Sequence, residues 1–388
     1  MSGMPLEPFL YLDHNATSPP SEAVCRALQA ALAARLGNPS SPHLLGRRAR
    51  TELSNARDSV ALLAGCDADR LLFTSGATES CNHVIRHARR PNAPSPSIVT
   101  SVIEHAAVAG AAERESIAGR SVSTIAVDSN GLIDLCSLED LASEGNALVN
   151  LQWVNNEIGV IQPIEIVAQI CAKHGVLLHV DASQALGKLT MEIDSLGADF
   201  VSFSGHKIGA PMGVGALYVR DRRTLPALQV GGEQENSRRA GTENVIGIVG
   251  FGAAAAERFA EMPALISRWT ALRQWFESNL PFGARVNAQF VERVANTVSA
   301  TFRGVDCAVL LARLDQRGLY VSQGSACHSA RPEPSHVLRA IGLSESDAYS
   351  TMRFSFGAST TLSDVQLACA MVKSEIESMS RRDGVAVA

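Results

Sequence analysis

Between about residues 50 and 220, short apolar runs alternate with helix-like segments. The runs are RLLFTSG, SIVTSVIEH, ALVNLQWV, VLLHVDA, DFVSFSG and VGALYV. Each is nearly continuous in aliphatic and aromatic residues instead of alternating apolar with polar, which is the pattern of strands covered on both faces. Segments such as PIEIVAQICAKHG between them carry helical spacing. The pattern predicts a large α/β domain built on a doubly wound, mostly parallel sheet. After RAGTEN the texture changes. VIGIVGFGAAAAERFAEM predicts a long helix, NTVSATF, GLYVSQGS and TMRFSFG predict strands, and DCAVLLARLDQRG and TLSDVQLACAMVKSEIESM predict helices, the last with Thr360 or Ser363 as its N-cap. We read this region as a smaller C-terminal α+β domain. The division is residues 15–260 for the large domain and 1–14 with 261–388 for the small one.

The chain of 388 residues is long enough for two cores, and its 46% hydrophobic and 19% charged residues are those of an ordinary globular protein. A net charge of −5 without a long basic run gives no electrostatic footprint for DNA or RNA. The longest weakly polar run, VIGIVGFGAAAA, is too short to span a bilayer, and the opening MSGMPLEPFLYLD lacks the pattern of a secretion signal. The expected compartment is the cytoplasm. Eight cysteines are scattered without a CxxC spacing, which argues against a zinc site and a disulfide framework. Most are expected to be small buried hydrophobes. Cys327 differs: it follows Gly324, Ser325 and Ala326, precedes a polar proline-containing stretch, and lies outside any apolar periodic pattern.

In open α/β sheets the ligand lies beyond the carboxyl ends of the strands. Polar residues collect there: Ser75 to Thr78, Glu104 and His105, Asn155 to Glu157, Asp181 to Gln184, and Ser204 to Lys207. Taken singly, each has an ordinary structural reading. TSGATES is also a strand-to-helix turn with a capping serine, His105 a satisfied core histidine, Asp181 an N-cap, and Asn155 and Asn156 turn formers. A lysine on a glycine-flanked loop at the end of an apolar strand is harder to dismiss, because desolvating it is costly. A phosphate cradle at a helix N-terminus, a carboxylate, an imidazole and a lysine together fit pyridoxal 5′-phosphate: the lysine forms the Schiff base, the acid partners the pyridine nitrogen, and the flat side chain stacks on the ring.

Across nearly its whole length the chain resembles the cysteine desulfurases of the NifS/IscS type, class V aminotransferases among the fold-type I pyridoxal-phosphate enzymes. The resemblance rests on YLDHNATSP, GNPSSPHLLGRRAR, FTSGATES, TSVIEHAAV, VNNEIGVIQPI, HVDASQALGK, SGHKIGAPMGVGALYVR, RRAGTENV, GSACHS and EPSHVLRAIG, in one order. It implies that Lys207 bonds the cofactor, that His105 stacks on the ring and assists proton transfers, and that Asp181 pairs with the pyridine nitrogen. It places Gln184 and Asn156 beside the phenolic oxygen, and Ala77, Thr78, Ser204 and His206 on the phosphate. Thr242 would reach the phosphate of a neighbouring subunit, which implies a homodimer. Arg353 would clamp the substrate carboxylate, with Asn38 a second candidate, and Cys327 would be the nucleophile. The implied reaction converts L-cysteine to L-alanine and leaves the sulfur as a persulfide on Cys327 for an acceptor protein.

Several positions depart from the family pattern. Ala210 and Met212 stand where glycine and lysine are common, and Glu233, Asn236, Ser237, Arg238 and Ala240 differ within GGEQENSRRAGT, whereas Arg239 and Thr242 match. His328 follows the nucleophile where threonine is frequent. These changes fall around the entrance to the site. Two other readings stay open at this level: a selenocysteine lyase or related fold-type I lyase, which would not need Cys327, and a catalytically idle scaffold for sulfur-transfer partners. The sulfur's destination is not legible in one chain.

Overall fold

The computed structural model describes residues 9–324 and 333–382. Its strands, in chain order, are β1 (Leu10–Tyr11), β2 (Leu71–Thr74), β3 (Ser97–Ser101), β4 (Val122–Ile125), β5 (Ala147–Gln152), β6 (Leu177–Asp181), β7 (Phe200–Ser204), β8 (Gly215–Val219), β9 (Arg285–Val286), β10 (Thr297–Thr301), β11 (Leu319–Tyr320) and β12 (Thr351–Ser355). Seven of them form one sheet in the order β2-β8-β7-β6-β5-β3-β4. Every pairing in it is parallel except those of β8, which runs antiparallel to both β2 and β7.

Five of these strands, β2 and β5 to β8, are buried along their whole length. Successive side chains leave a strand on opposite faces, so a strand buried on both is mostly apolar and its polar residues need partners, as Asn150, His179 and Ser202 find in one another across β5, β6 and β7. In β6, Leu178 and Val180 enter a core packed against helices Leu44–Ala64 and Val245–Ser278, and Leu177 enters a separate cluster with Val84 of helix Ala77–His87. The edge strand β4 is the exception. Its residues are mostly half-buried or exposed, so VSTI carries no continuous apolar run, and the sequence pattern misses it.

A second core lies beyond the large sheet. It gathers Val298 and Ala300 of β10, Met352 and Phe354 of β12, Leu12, and residues of the last helix, Leu362–Arg382. β10 pairs antiparallel with both β12 and β9, and β1 pairs parallel with β11. Helix Val245–Ser278, 34 residues long, joins the two cores: Ile248, Phe251, Ala254, Ala255 and Met262 pack into the first, and Leu265, Trp269, Leu272 and Phe276 into the second. The change falls at Pro263, inside the helix.

The N-cap of the last helix differs from both sequence candidates. Thr361 caps it: the Asp364 N–H donates to Thr361 Oγ1 at 3.2 Å, and the Thr361 N–H donates to Asp364 Oδ2 at 2.9 Å, a reciprocal capping box. The Thr360 hydroxyl instead accepts the Gly357 N–H at 2.8 Å, and Ser363 lies within the first turn. No helix among the described residues is long and apolar enough to cross a membrane.

Candidate active site

A cavity of about 600 Å³ opens at the carboxyl ends of β3, β6 and β7. Ten of the residues singled out from the sequence line it: Ala77, Thr78, His105, Asn156, Asp181, Gln184, Ser204, His206, Lys207 and Arg353. Asn38 and Thr242 do not. Both are exposed, and the Asn38 side chain caps its own turn by accepting the Ser40 N–H at 2.9 Å. Cys327 lies outside the described residues, but the chain on either side of its segment stands at this cavity. Gly324 faces the Glu157 carboxylate, Ser335 donates to Glu157 Oε2 at 2.5 Å, and Glu157 and His336 both line the wall.

Lys207 sits on a short 3-10 turn, Gly205–Ile208, directly after β7. The flanking glycines make that turn possible. A side chain at position 205 would crowd Ala210 Cβ at 3.0 Å and Phe251 at 3.1 Å, and Gly209 sits at φ 93°. The Lys207 ammonium donates to the Asn15 and Ala16 carbonyls at 2.7 and 2.8 Å.

Asp181 ends β6, 6% exposed, with one carboxylate oxygen accepting the backbone N–H and hydroxyl of Ser183 at 2.9 and 2.5 Å. Beneath it on the same strand, buried His179 bonds Asn150 Oδ1 at 3.0 Å and Ser202 Oγ at 2.8 Å. Burial pushes His179 down to about 4, which keeps it neutral.

His105 is the N-cap of helix Ala106–Ile117, its Nδ1 accepting the Ala107 N–H at 3.1 Å, so the neutral ring carries its proton on Nε2. Burial is the first cause holding its pKa below the usual histidine value; the Asp181 carboxylate opposes that shift and Lys207 adds to it. Glu104, the preceding residue, is fully buried and accepts from the Ser101 hydroxyl at 2.5 Å and the Gln152 N–H at 3.0 Å. Burial raises it to about 8.

Helix Ala77–His87 begins at the cavity wall without a side-chain cap. Gly76 precedes it at φ 156° and ψ 173°, a conformation side chains avoid. The free N–H groups of an uncapped first turn are a ready anion site. Arg239, in the stretch that departs from the family pattern, holds this turn by donating to Glu79 at 2.7 Å. In the same stretch Glu235 accepts two bonds from Arg57, at 2.6 and 3.0 Å. Arg353 on β12, also in the lining, donates to Asp13 Oδ1 at 2.6 Å and to the Asn156 carbonyl at 3.1 Å. Its Nε is buried and finds no partner among the described residues.

The sequence reading named Glu157 at a strand end without giving it a role, and it missed Asn15 and His336 of the lining and Lys188 behind it. All four lie inside motifs it singled out, but Asn and Glu beside a strand end, or a lysine in a helical turn, give no signal of their own.

The sequence profile of the Aminotransferase class-V family matches residues 10–367. The chain belongs to that family. It is 39% identical to a cysteine desulfurase of Nostoc sp. over 91% of its length and 89% of the relative's, and 37% identical to the cysteine desulfurase IscS of Dictyoglomus turgidum over 95% of both. A solved structure described as a NifS-like protein superposes with a TM-score of 0.88 at 32% identity, covering 95% of this chain and all of the other. Pyridoxal 5′-phosphate is the cofactor of this class-V group. The residues present fit it: an uncapped helix start for a phosphate, a buried carboxylate at the end of β6, an imidazole at the wall and a lysine amine within one cavity.

Proposed function

We propose that this chain is a cysteine desulfurase that takes sulfur from L-cysteine, releases L-alanine and carries the sulfur on Cys327 to an acceptor protein. The observation that carries the reading is the convergence of Lys207, Asp181, His105 and Arg353 on one cavity, beside the described ends of the Cys327 segment.

In this reading Lys207 bonds the cofactor and Asp181 faces its pyridine nitrogen. The helix start at Ala77 and Thr78, with Ser204 and His206, takes the phosphate, and Gln184 and Asn156 take the phenolic oxygen side. When bound, the cofactor supplies an electron sink that makes the substrate's carbon–sulfur bond cleavable. Arg353 receives the substrate carboxylate, and its buried Nε, without a partner among the described residues, is a donor still to be satisfied there. Lys207 would move the substrate's α-proton, the Asn15 and Ala16 carbonyls holding its ammonium form. His105 holds a proton at Nε2 against the reacting face. The Cys327 thiolate attacks the substrate sulfur: a sulfur–sulfur bond forms, the carbon–sulfur bond breaks, and protons from the two thiols end on the alanine carbon and the persulfide. An ordinary thiol is only a few per cent ionised at neutral pH, its pKa being about 8.5, so this step gains from a cationic neighbour.

Thr242 is exposed and outside its own chain's cavity, close in sequence to exposed Val230. This supports a homodimer in which each copy gives Thr242 to the phosphate end of the other's site. A free nucleophilic thiol works in a reducing compartment, which favours the cytoplasm. We read residues 15–260 as the cofactor-binding domain, and 1–14 with 261–388 as the domain that carries Arg353 and the cysteine segment.

The test is alanine formation from L-cysteine under reducing conditions. Alanine with sulfide in equal amounts is the expected result. No alanine would leave the idle scaffold, and alanine from selenocysteine alone would leave the lyase.

A further inference from the structure

Lys188 is a buried lysine to which the proposed reaction assigns no task. It is 4% exposed and lies one helical turn after Gln184. Its ammonium reaches two side-chain amides: it donates to Asn15 Oδ1 at 2.8 Å and, in a shorter contact, to Gln184 Oε1. Burial and the nearby cations Lys207, Arg258 and Arg353 all lower its proton affinity. A lysine held there against such a cost has a structural purpose beyond filling space.

The purpose is visible in the two amides. An amide side chain can present either end, and only its partners decide which. Lys188 takes the oxygen of Gln184, so the NH₂ group points the other way, where one N–H donates to the Asn15 carbonyl at 2.8 Å. Lys188 takes the oxygen of Asn15 as well, so the Asn15 NH₂ turns to the Asn156 carbonyl at 3.1 Å and Thr297 Oγ1 at 2.9 Å. Asn15 thereby ties β10 to the segment after β5 and presents its carbonyl to Lys207. One buried amine holds the oxygens of two side-chain amides, Gln184 and Asn15, the second shared with Asn296 Nδ2 at 3.3 Å, and both amides then meet backbone carbonyls of the cavity wall, those of Asn15 and Asn156. Gln184 and Asn156 are the residues expected beside the phenolic oxygen, an anionic acceptor that needs N–H donors.

We infer that Lys188 is a positioning residue of the cofactor site: it fixes the Gln184 amide with its nitrogen on the Asn15 backbone carbonyl that also holds Lys207, which leaves the second N–H of Gln184 for the cavity. Without Lys188 the Gln184 amide keeps only its bond to the Asn15 carbonyl and leaves its oxygen unpaired, so its orientation toward an anionic ligand atom is weakened. The inference rests on the proposed placement of the cofactor at Lys207.

The test is the dissociation constant of pyridoxal 5′-phosphate, read from the protein's fluorescence as cofactor is titrated into resolved enzyme. It compares wild type, Lys188→Met, Gln184→Ala and the double variant. Lys188→Met keeps the chain's length and apolar stem but removes both donors. It is expected to weaken binding about tenfold, Gln184→Ala by a similar factor, and the double variant no further than Gln184→Ala alone within about twofold. Unchanged binding in Lys188→Met, or a loss that multiplies in full with that of Gln184→Ala, overturns the inference. Wild-type protein that binds no cofactor overturns the underlying placement instead. If Lys188→Met is not recovered folded, Gln184→Glu decides. A carboxylate there keeps the pairing with Lys188 but offers no N–H to the Asn15 carbonyl or the cavity, so cofactor affinity is expected to fall about tenfold. Unchanged affinity in that variant overturns the inference.

Discussion

Arg353 shows how much one side chain is asked to do. Its guanidinium is almost fully buried and held by Asp13 and the Asn156 carbonyl, which leaves Nε and the remaining N–H groups to a carboxylate. A lysine at this position keeps the charge but loses the planar fork. For Arg353→Lys the expected result is a KM for L-cysteine raised about tenfold or more with kcat changed less than about threefold, because carboxylate binding is shared by ground and transition states. A fall in kcat at unchanged KM in steady-state assays would contradict the assignment. Titration gives a second residue-scale prediction. His14, His83, His179 and His206 are each pushed from 6.5 to about 4, with burial the first cause in every case. Between those values the unfolded chain binds more protons than the folded one, so stability is lost as pH falls from about 6.5 toward 4. Glu104, raised to about 8, works the other way, since its folded form keeps a proton the unfolded chain has lost above 4.5. One carboxyl does not offset four histidines. Urea midpoints are expected to drop steeply between pH 6.5 and 4.5; a flat profile would show that these rings are protonated in the fold.

At the scale of elements, the close contact between helices Leu44–Ala64 and Val245–Ser278 depends on Gly252. A Cβ there would stand 2.5 Å from Ala56 Cα, a backbone atom that cannot step aside. Gly252→Ala is expected to lose about 1–3 kcal/mol despite the better helix propensity of alanine. Denaturant unfolding at unchanged or higher midpoint would refute that. The same scale explains what the sequence made legible. β5, β6, β7 and β8 announce themselves because burial on both faces keeps their runs mostly apolar, whereas β4, at the open edge, pairs on one side and is free to be polar. The cap at Thr361 was misplaced because three neighbouring hydroxyl residues compete and only the Asp364 partner decides. In the site, Lys207 and Asp181 were legible from their places at strand ends. Asn15 and Lys188 were not, because their importance lies in whom they touch across more than 170 residues of chain, with Lys188 bonding Asn15 at a separation of 173. Thr242 and Asn38 lie outside the cavity of a single chain, so their proposed contacts need a second copy or another arrangement.

Taken whole, the molecule places its chemistry between two cores. The large sheet supplies Lys207, Asp181 and His105, and β12 beside the second core supplies Arg353. The segment Asp13 to Thr17 runs between them, pairing Asp13 with Arg353 and offering its carbonyls to Lys207. Lys207 and Arg353 thus come from different sheets to one cavity, an arrangement suited to holding an amino acid by its amine and its carboxylate at once. The central claim is that sulfur passes from L-cysteine to Cys327. The most direct measurement is a single turnover of the holoenzyme with L-cysteine in the absence of reductant, followed by intact-mass and peptide mass spectrometry. We predict one alanine per active site and the added mass of one sulfur atom on the peptide carrying Cys327, with both lost in Lys207→Ala and the added sulfur lost in Cys327→Ser. Alanine formed at the full wild-type rate by Cys327→Ser, or sulfur found on another cysteine, would contradict the account.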